Sequence, residues 1–291
     1  MTYVVLKHPA RRAQTNDETT SKGLDMPRRI LAALLVSSGA ASQTFTPKCP
    51  DPSYPAPPPG TSLPIDAVCP VSGQPNQSAA ETAQNSAKNN FCAPAPAQPI
   101  TVAQMGALQA QVQTNPKINF GGRVHPLSKR AGPTTNRAPL IKMGEGSLRV
   151  LEGYVLIARQ EGKEMVNCET TPPNAPASHD IHISIVSDVN QVHGNECQSV
   201  VAELSPHHRP DSWNEASLQK VALGHHRVRV TGQLFFDSSH SPCIDGKAEA
   251  GDPHRSSLWE IHPVYGFDVC PTDACASGGW VALDQWLKSN P

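Results

Sequence analysis

The sequence has no long apolar run, little charge and few aromatic side chains. No stretch approaches the roughly 18 consecutive apolar residues that cross a bilayer, which excludes a transmembrane helix. Charged residues make up 17% and the formal net charge is −1, so the chain is not a polycation that binds nucleic acid by charge alone. Aromatic residues make up only 5%, which leaves few platforms for stacking bases.

Several motifs of common enzyme classes are also missing. The sequence contains no GxSxG nucleophile elbow, no GxxxxGK[ST] phosphate loop, no HExxH zinc helix and no GxGxxG dinucleotide turn. It lacks the two CxxC pairs of a structural zinc ribbon. Metal-dependent hydrolysis, ligand binding and a structural role are the classes that remain to be weighed.

A secretory signal peptide is predicted at residues 26–41. Residues 26–29 (MPRR) form a basic region, residues 30–36 (ILAALLV) an apolar region, and small residues follow to Ala41. Because a signal peptide begins at the N-terminus, we expect residues 1–25 to be a mis-called extension. The predicted location is therefore the periplasm or the extracellular space.

The cysteines agree with export. An even number in an exported chain indicates disulfides. Three of the eight lie before residue 100 and five after residue 160, so complete pairing requires at least one bridge between the two regions. The close spacing of Cys270 and Cys275 predicts a pinned loop. The eight are Cys49, Cys69, Cys92, Cys168, Cys197, Cys243, Cys270 and Cys275.

Proline divides the mature chain into an arm at 42–140 and a domain at 141–291. Thirteen prolines lie between Gln43 and Ile100, and because proline fixes φ and lacks an N–H, we expect no strand and no long helix there. Two capping boxes, beginning at Ser78 and Thr101, predict short helices within the arm. Residues 114–140 lose periodicity and are interpreted as a linker.

The domain at 141–291 is predicted to be mainly β. Five segments are strand-like, with one helix between the third and fourth and a short helix at the C-terminus; the strands are 146–157, 180–186, 199–204, 228–237 and 258–264. This element order is that of the OB-fold, a small five-stranded barrel. Pro263 indicates that the last strand is an edge strand or ends there.

The domain also resembles a family. The segments EMVNC, DIHISI, VVAEL, VRVTGQLFFD and WEIHPV, within about residues 145–270, are similar to those of uncharacterised exported bacterial proteins with an OB-like domain. WEIHPV is the most specific of them. The family has no established activity, so the resemblance implies the fold and no function.

Alternation along the strands places polar side chains together on the outward barrel face. Ten of the twelve histidines lie between His179 and His262, most of them in predicted loops, but two lie on strands beside carboxylates. Imidazole and carboxylate groups are ligands for a divalent transition metal. The predicted metal ligands are Asp180, His182 and His262; the predicted catalytic residues are Glu203, Glu260 and Arg229; Asp237 and His240 are further candidates at the rim.

Three functions follow from this constellation. The first is a metal-dependent hydrolase of a phosphodiester or similar anion, with Glu203 or Glu260 as base and Arg229 binding negative charge. The second is an OB-type binding module for nucleic acid, oligosaccharide or a small anion, with Phe235 as its one stacking aromatic. The third is a structural envelope or extracellular protein, whose proline-rich arm tethers or contacts partners and whose barrel is a disulfide-stabilised platform. Without residues 1–40 the chain has 18 basic and 22 acidic side chains, which disfavours nucleic acid.

Overall fold

A computed structural model describes residues 65, 69–70, 72–115, 136–169, 178–207, 209–248, 253–272, 275 and 278–291. The predicted extension at 1–25 and the predicted signal peptide at 26–41 lie outside the described residues. Both therefore stay predictions.

The described residues form seven strands: β1 (Gln98–Ile100), β2 (Leu148–Gln160), β3 (Ile181–Val186), β4 (Val200–Leu204), β5 (Arg227–Phe236), β6 (Trp259–Val269) and β7 (Val281–Ala282). They also form five α-helices: α1 (Ala79–Lys88), α2 (Val102–Thr114), α3 (Ala138–Lys142), α4 (Glu215–Leu223) and α5 (Leu283–Ser289). None of these helices has the length and apolar character that a bilayer crossing needs.

Five of the strands close into a barrel. Their order along the sheet is β2-β3-β4-β6-β5, and β5 pairs back onto β2. Strands β4 and β6 run parallel, and the other neighbours in the barrel are antiparallel. Because α4 lies between β4 and β5, the connectivity is that of an OB-fold, and the predicted mainly β barrel is confirmed.

The barrel core follows from alternation along the strands. In β3, Ile181, Ile183 and Ile185 point inward and join one apolar cluster to which every barrel strand contributes. All six residues of β3 are buried, however, so the polar face of the strand is covered as well. Alternation predicts that face to point outward, and the structure places α1 over it.

The arm holds more regular structure than its proline content predicts. Helices α1 and α2 begin at the predicted capping boxes of Ser78 and Thr101. The prediction of no strand before Ile100 is wrong, because β1 pairs in parallel with β2. Pro99 is tolerated there because β1 is an edge strand. Helix α3 begins within the segment predicted as a linker and extends past residue 140. The domain boundary predicted at residue 140 stays a prediction.

Three disulfides join described cysteines: Cys69–Cys168, Cys197–Cys243 and Cys270–Cys275. The first spans 99 residues and ties the arm to the barrel domain, which confirms the bridge that the cysteine counts require. The last spans 5 residues and closes the predicted loop.

Pro263 does not end the last barrel strand, contrary to the prediction. Strand β6 continues to Val269, and its register with β5 shifts on both sides of Gly232. Such a bulge accommodates proline because the irregular pairing does not use its missing N–H. At Gly232 a Cβ atom would lie 2.6 Å from the side chain of Ile261 and overlap the carbonyl oxygen of Pro263, so the close approach of the two strands requires glycine.

Gly232→Ala is expected to lower the free energy of unfolding by roughly 1–3 kcal/mol, because the added methyl group has to displace β6. Gly162→Ala is the matched control, since a Cβ at Gly162 meets nothing within 4 Å. Urea unfolding followed by tryptophan fluorescence measures both variants. Equal stability of the two would contradict the close approach.

Candidate functional site

The buried carboxylate of Glu203 is the centre of the site. Glu203 of β4 lies directly opposite His182 of β3, and the parallel neighbour β6 brings His262 to the same carboxylate. Glu203 Oε2 lies 2.9 Å from His182 Nε2 and 3.0 Å from His262 Nδ1. All three side chains are almost inaccessible to solvent. The structure thus brings together residues from three strands that alternation assigns to one face.

A lysine of the arm contacts the same carboxylate. The ammonium group of Lys88, at the end of α1, lies 2.8 Å from Glu203 Oε1 and 3.4 Å from Asp180 Oδ2. It also donates a 3.0 Å hydrogen bond to Glu164. Only 5% of Lys88 is exposed. Three carboxylates therefore share one buried ammonium ion.

Helix α1 is held over the barrel face by hydrogen bonds in its middle and near its C-terminal end. Gln233 of β5 donates a 2.7 Å hydrogen bond to the carbonyl of Ala87. In the middle of the helix, the side chain of Gln84 accepts a 3.3 Å hydrogen bond from the backbone N–H of Ser238. The arm thereby encloses the polar face that the sequence predicts to be outward.

A second group of buried charges adjoins the first. Glu260 and Arg255 form an ion pair without exposed surface, and Asp237 contacts the Nδ1 atom of His240. Glu260 Oε2 lies 3.8 Å from His262 Nδ1, which links the two groups. His240 is the most accessible member, with 22% of its side chain exposed. Asp237, His240 and Glu260 therefore lie beside the predicted metal ligands.

Arg229 does not lie with them, although the sequence analysis placed it in the site. Its guanidinium group pairs with Asp268 at 2.7 Å and lies 5.0 Å from the centroid of the Trp280 ring. The reason is distance along β5. Arg229 lies six positions along the strand from Phe235, whose ring packs against His262, and a strand rises about 3.3 Å per residue. Alternation assigns a face but does not bring the two ends of a strand together.

The packed charges separate the pKa values of the two histidines. Burial by itself would lower the pKa of His182, but the charge of Glu203 raises it to about 9. For His262 the effect of burial prevails and the pKa is lowered. Burial raises the pKa of Asp180. Burial also opposes the charge of Glu203, yet His182, His262 and Lys88 hold its pKa well below the usual value.

A cavity of about 330 Å³ opens beside Lys88. Its lining combines the cations Lys88 and Lys163 with the carboxylates of Glu164 and Asp237, and His240 also lines it. Glu203 and Glu260 lie deeper and do not line it. A ligand entering the cavity would therefore meet Lys88 and His240 before it met the central carboxylate.

Two sets of side chains among the described residues could hold a metal ion, and Glu203 belongs to both. One set is Glu164, His182 and Glu203, and the other is Asp180, Glu203 and His262, each with ligand atoms within 4.8 Å of one another. The two histidines thus fall in different sets, whereas the sequence analysis assigned them to one metal. Four buried side chains of these sets contact other charged groups of the site and no neutral hydrogen-bond partner among the described residues: Asp180, His182, Glu203 and His262. Nitrogen and oxygen ligands of this kind fit a divalent transition metal.

No protein-family model, curated protein or solved structure matches this chain. The resemblance of the WEIHPV segment to uncharacterised exported proteins therefore stays a prediction. The interpretation of the site depends on its own geometry.

Three residues of the site lie outside the strands that the sequence analysis singled out: Lys88, Glu161 and Glu164. Glu161 follows β2 and lies 2.8 Å from His182 Nδ1. Glu164 belongs to EMVNC, one of the segments of the family resemblance, so a signal for it was present. No sequence signal indicated Lys88, because the carboxylates that it contacts lie about a hundred positions away along the chain.

In the metal-free protein, the raised pKa of His182 makes stability depend on pH. Protonated His182 beside Glu203 stabilises the fold fully below about pH 6.5, and this contribution is lost as the pH rises through about 9. We expect the free energy of unfolding to fall by roughly 2–3 kcal/mol between pH 6.5 and 9.5. Urea unfolding of chelator-treated protein measures the decrease, which should largely disappear in His182→Gln. If the free energy of unfolding falls equally in that variant, groups other than His182 cause the pH dependence.

Proposed function

We propose that this protein is an exported, metal-dependent hydrolase of a phosphodiester or a similar anionic substrate. The observation that carries the proposal is the pair of buried histidines beside Glu203. Their ring nitrogens lie 2.9 and 3.0 Å from its carboxylate, and each histidine forms with Glu203 part of a set that could hold a metal ion. Burying carboxylates this close together is costly unless cations compensate them. A coordinated metal ion would compensate several of these atoms at once.

The donor atoms favour a divalent transition metal such as Zn²⁺. Imidazole nitrogen suits zinc, copper, iron or nickel, whereas magnesium and calcium prefer sites made only of oxygen. Each ligand set supplies three protein ligands. Zinc sites that keep a fourth coordination position for water also have three protein ligands.

A metal held at Glu203 would polarise the scissile group and lower the pKa of a bound water molecule. The cavity supports a different division of roles from the predicted one. Glu203 and Glu260, predicted as bases, do not line it, whereas His240 does, with its ring oriented by Asp237. Lys163 and Lys88 supply the positive charge that was predicted for Arg229.

Export is part of the proposal. Three disulfides among the described residues support an oxidising location, because cytosolic thiols are kept reduced. The predicted signal peptide at 26–41 points to the same location.

Binding without turnover is the second candidate, and the size of the cavity favours it. A volume of about 330 Å³ lies in the range of small-molecule sites. Nucleic acid fits less well, because Phe235, the predicted stacking aromatic, is buried against His262 and beneath Arg137. A small anionic ligand is the form of this candidate that the geometry favours.

Elemental analysis of protein purified with its disulfides intact is expected to find a divalent transition metal. His182→Ala and His262→Ala should each weaken binding of that metal roughly tenfold or more, because each removes an imidazole ligand. His193→Ala is the matched control, since His193 is exposed and packs against the His225 ring. Unchanged metal content in the His182→Ala/His262→Ala double variant would overturn the metal site.

The reaction can be tested with bis(4-nitrophenyl) phosphate. We expect metal-loaded protein to release nitrophenolate, a chelator to stop the release, and Glu203→Gln to slow it roughly a hundredfold or more, because both ligand sets lose a charged ligand. Glu152→Gln is the control, because Glu152 belongs to a surface pair with Arg227. Tight metal binding without turnover of this diester or of 4-nitrophenyl phosphate would favour the binding role.

A further inference from the structure

The carboxylates that contact Lys88 are the same carboxylates that form the two metal-ligand sets. Glu164 belongs to one set, Asp180 to the other and Glu203 to both, and each lies within 3.4 Å of Lys88 Nζ. A buried ammonium ion and a divalent metal both need these oxygens to replace lost hydration. Two cations a few ångströms apart in such an enclosed place repel each other strongly.

We infer that Lys88 is a placeholder cation, which compensates these carboxylates in the metal-free protein and is displaced into the adjoining cavity when a divalent metal binds. The inference rests on the metal site of the proposed function. It adds that the arm controls the loading of that site.

The surroundings of Lys88 allow its side chain to move while its helix stays in place. Hydrogen bonds from Gln233 to Ala87, and from Ser238 to Gln84, hold α1 on the barrel. The cavity of about 330 Å³ is lined by Lys88 itself, so rotation of its flexible side chain is enough to carry the ammonium out of the cluster. No unfolding of the arm is required.

Displacement would also change what the cavity binds. An ammonium group that has left Glu203 joins Lys163 in the cavity, where it faces an incoming anion instead of three carboxylates. Metal loading would thereby create the positive charge that an anionic substrate needs. Metal and anion are then expected to favour each other's binding, because both favour the displaced lysine.

Amine acetylation read by mass spectrometry tests the displacement in the wild-type chain, with Zn²⁺ alone as the probe. In the metal-free protein Lys88 should be protected, because it is 5% exposed and ion-paired. Saturating Zn²⁺ should raise its acetylation rate tenfold or more. Lys163, which is exposed and lines the same cavity, should react equally in both states.

Metal affinity provides the second measurement. Lys88→Met should bind Zn²⁺ at least tenfold more tightly than the wild type, whereas Lys163→Met should change the affinity less than twofold. Both variants remove one positive charge from the same cavity, so their difference isolates the contact with the carboxylates. If Lys88→Met does not fold, the acetylation rate of Lys88 in the wild type by itself tests the displacement.

The outcomes separate this inference from the proposed function. Bound Zn²⁺ with Lys88 still protected overturns the displacement and leaves the metal site standing. Zn²⁺ binding by Lys88→Met but not by the wild type would show that Lys88 excludes the metal instead of yielding to it, which overturns the displacement. Absence of binding by both proteins overturns the inference together with the proposed metal site.

Discussion

A buried carboxylate is stable only where cations or hydrogen-bond donors replace the water that it has lost. Glu203 has no exposed surface, and it is compensated by His182, His262 and Lys88. These partners come from β3, β6 and α1. The geometry of the site and the electrostatics of the barrel face depend on this contact.

The arm determines which kind of site the barrel carries. An OB-fold commonly offers an open face to an extended ligand. Here α1 covers that face, and the Cys69–Cys168 disulfide ties the arm to the barrel domain close to Glu164. A cavity of about 330 Å³ remains accessible beside Lys88, and it suits a small anion better than a polymer. Covering also concentrates charge, because carboxylates that water would have screened now interact at low dielectric.

Predictions from sequence succeeded where the underlying physics is local. Alternation in the segment 180–186 placed the isoleucines in the core and His182 on the polar face, and the capping boxes located α1 and α2. The same reasoning failed where distance along a strand mattered, as with Arg229. It also failed at Pro263, which was predicted to end its strand. The register shifts at Gly232 of the neighbouring strand let β6 continue through the proline.

The sequence by itself determined the barrel, its strand order and the three strand positions whose side chains meet, because side-chain period and element order are properties of consecutive residues. Only the tertiary structure decided that this polar face is buried, that Lys88 lies at its centre and that the two histidines belong to different ligand sets. These features depend on contacts between segments about a hundred residues apart. Such contacts leave no periodic trace in either segment, so they become visible only once the chain has folded.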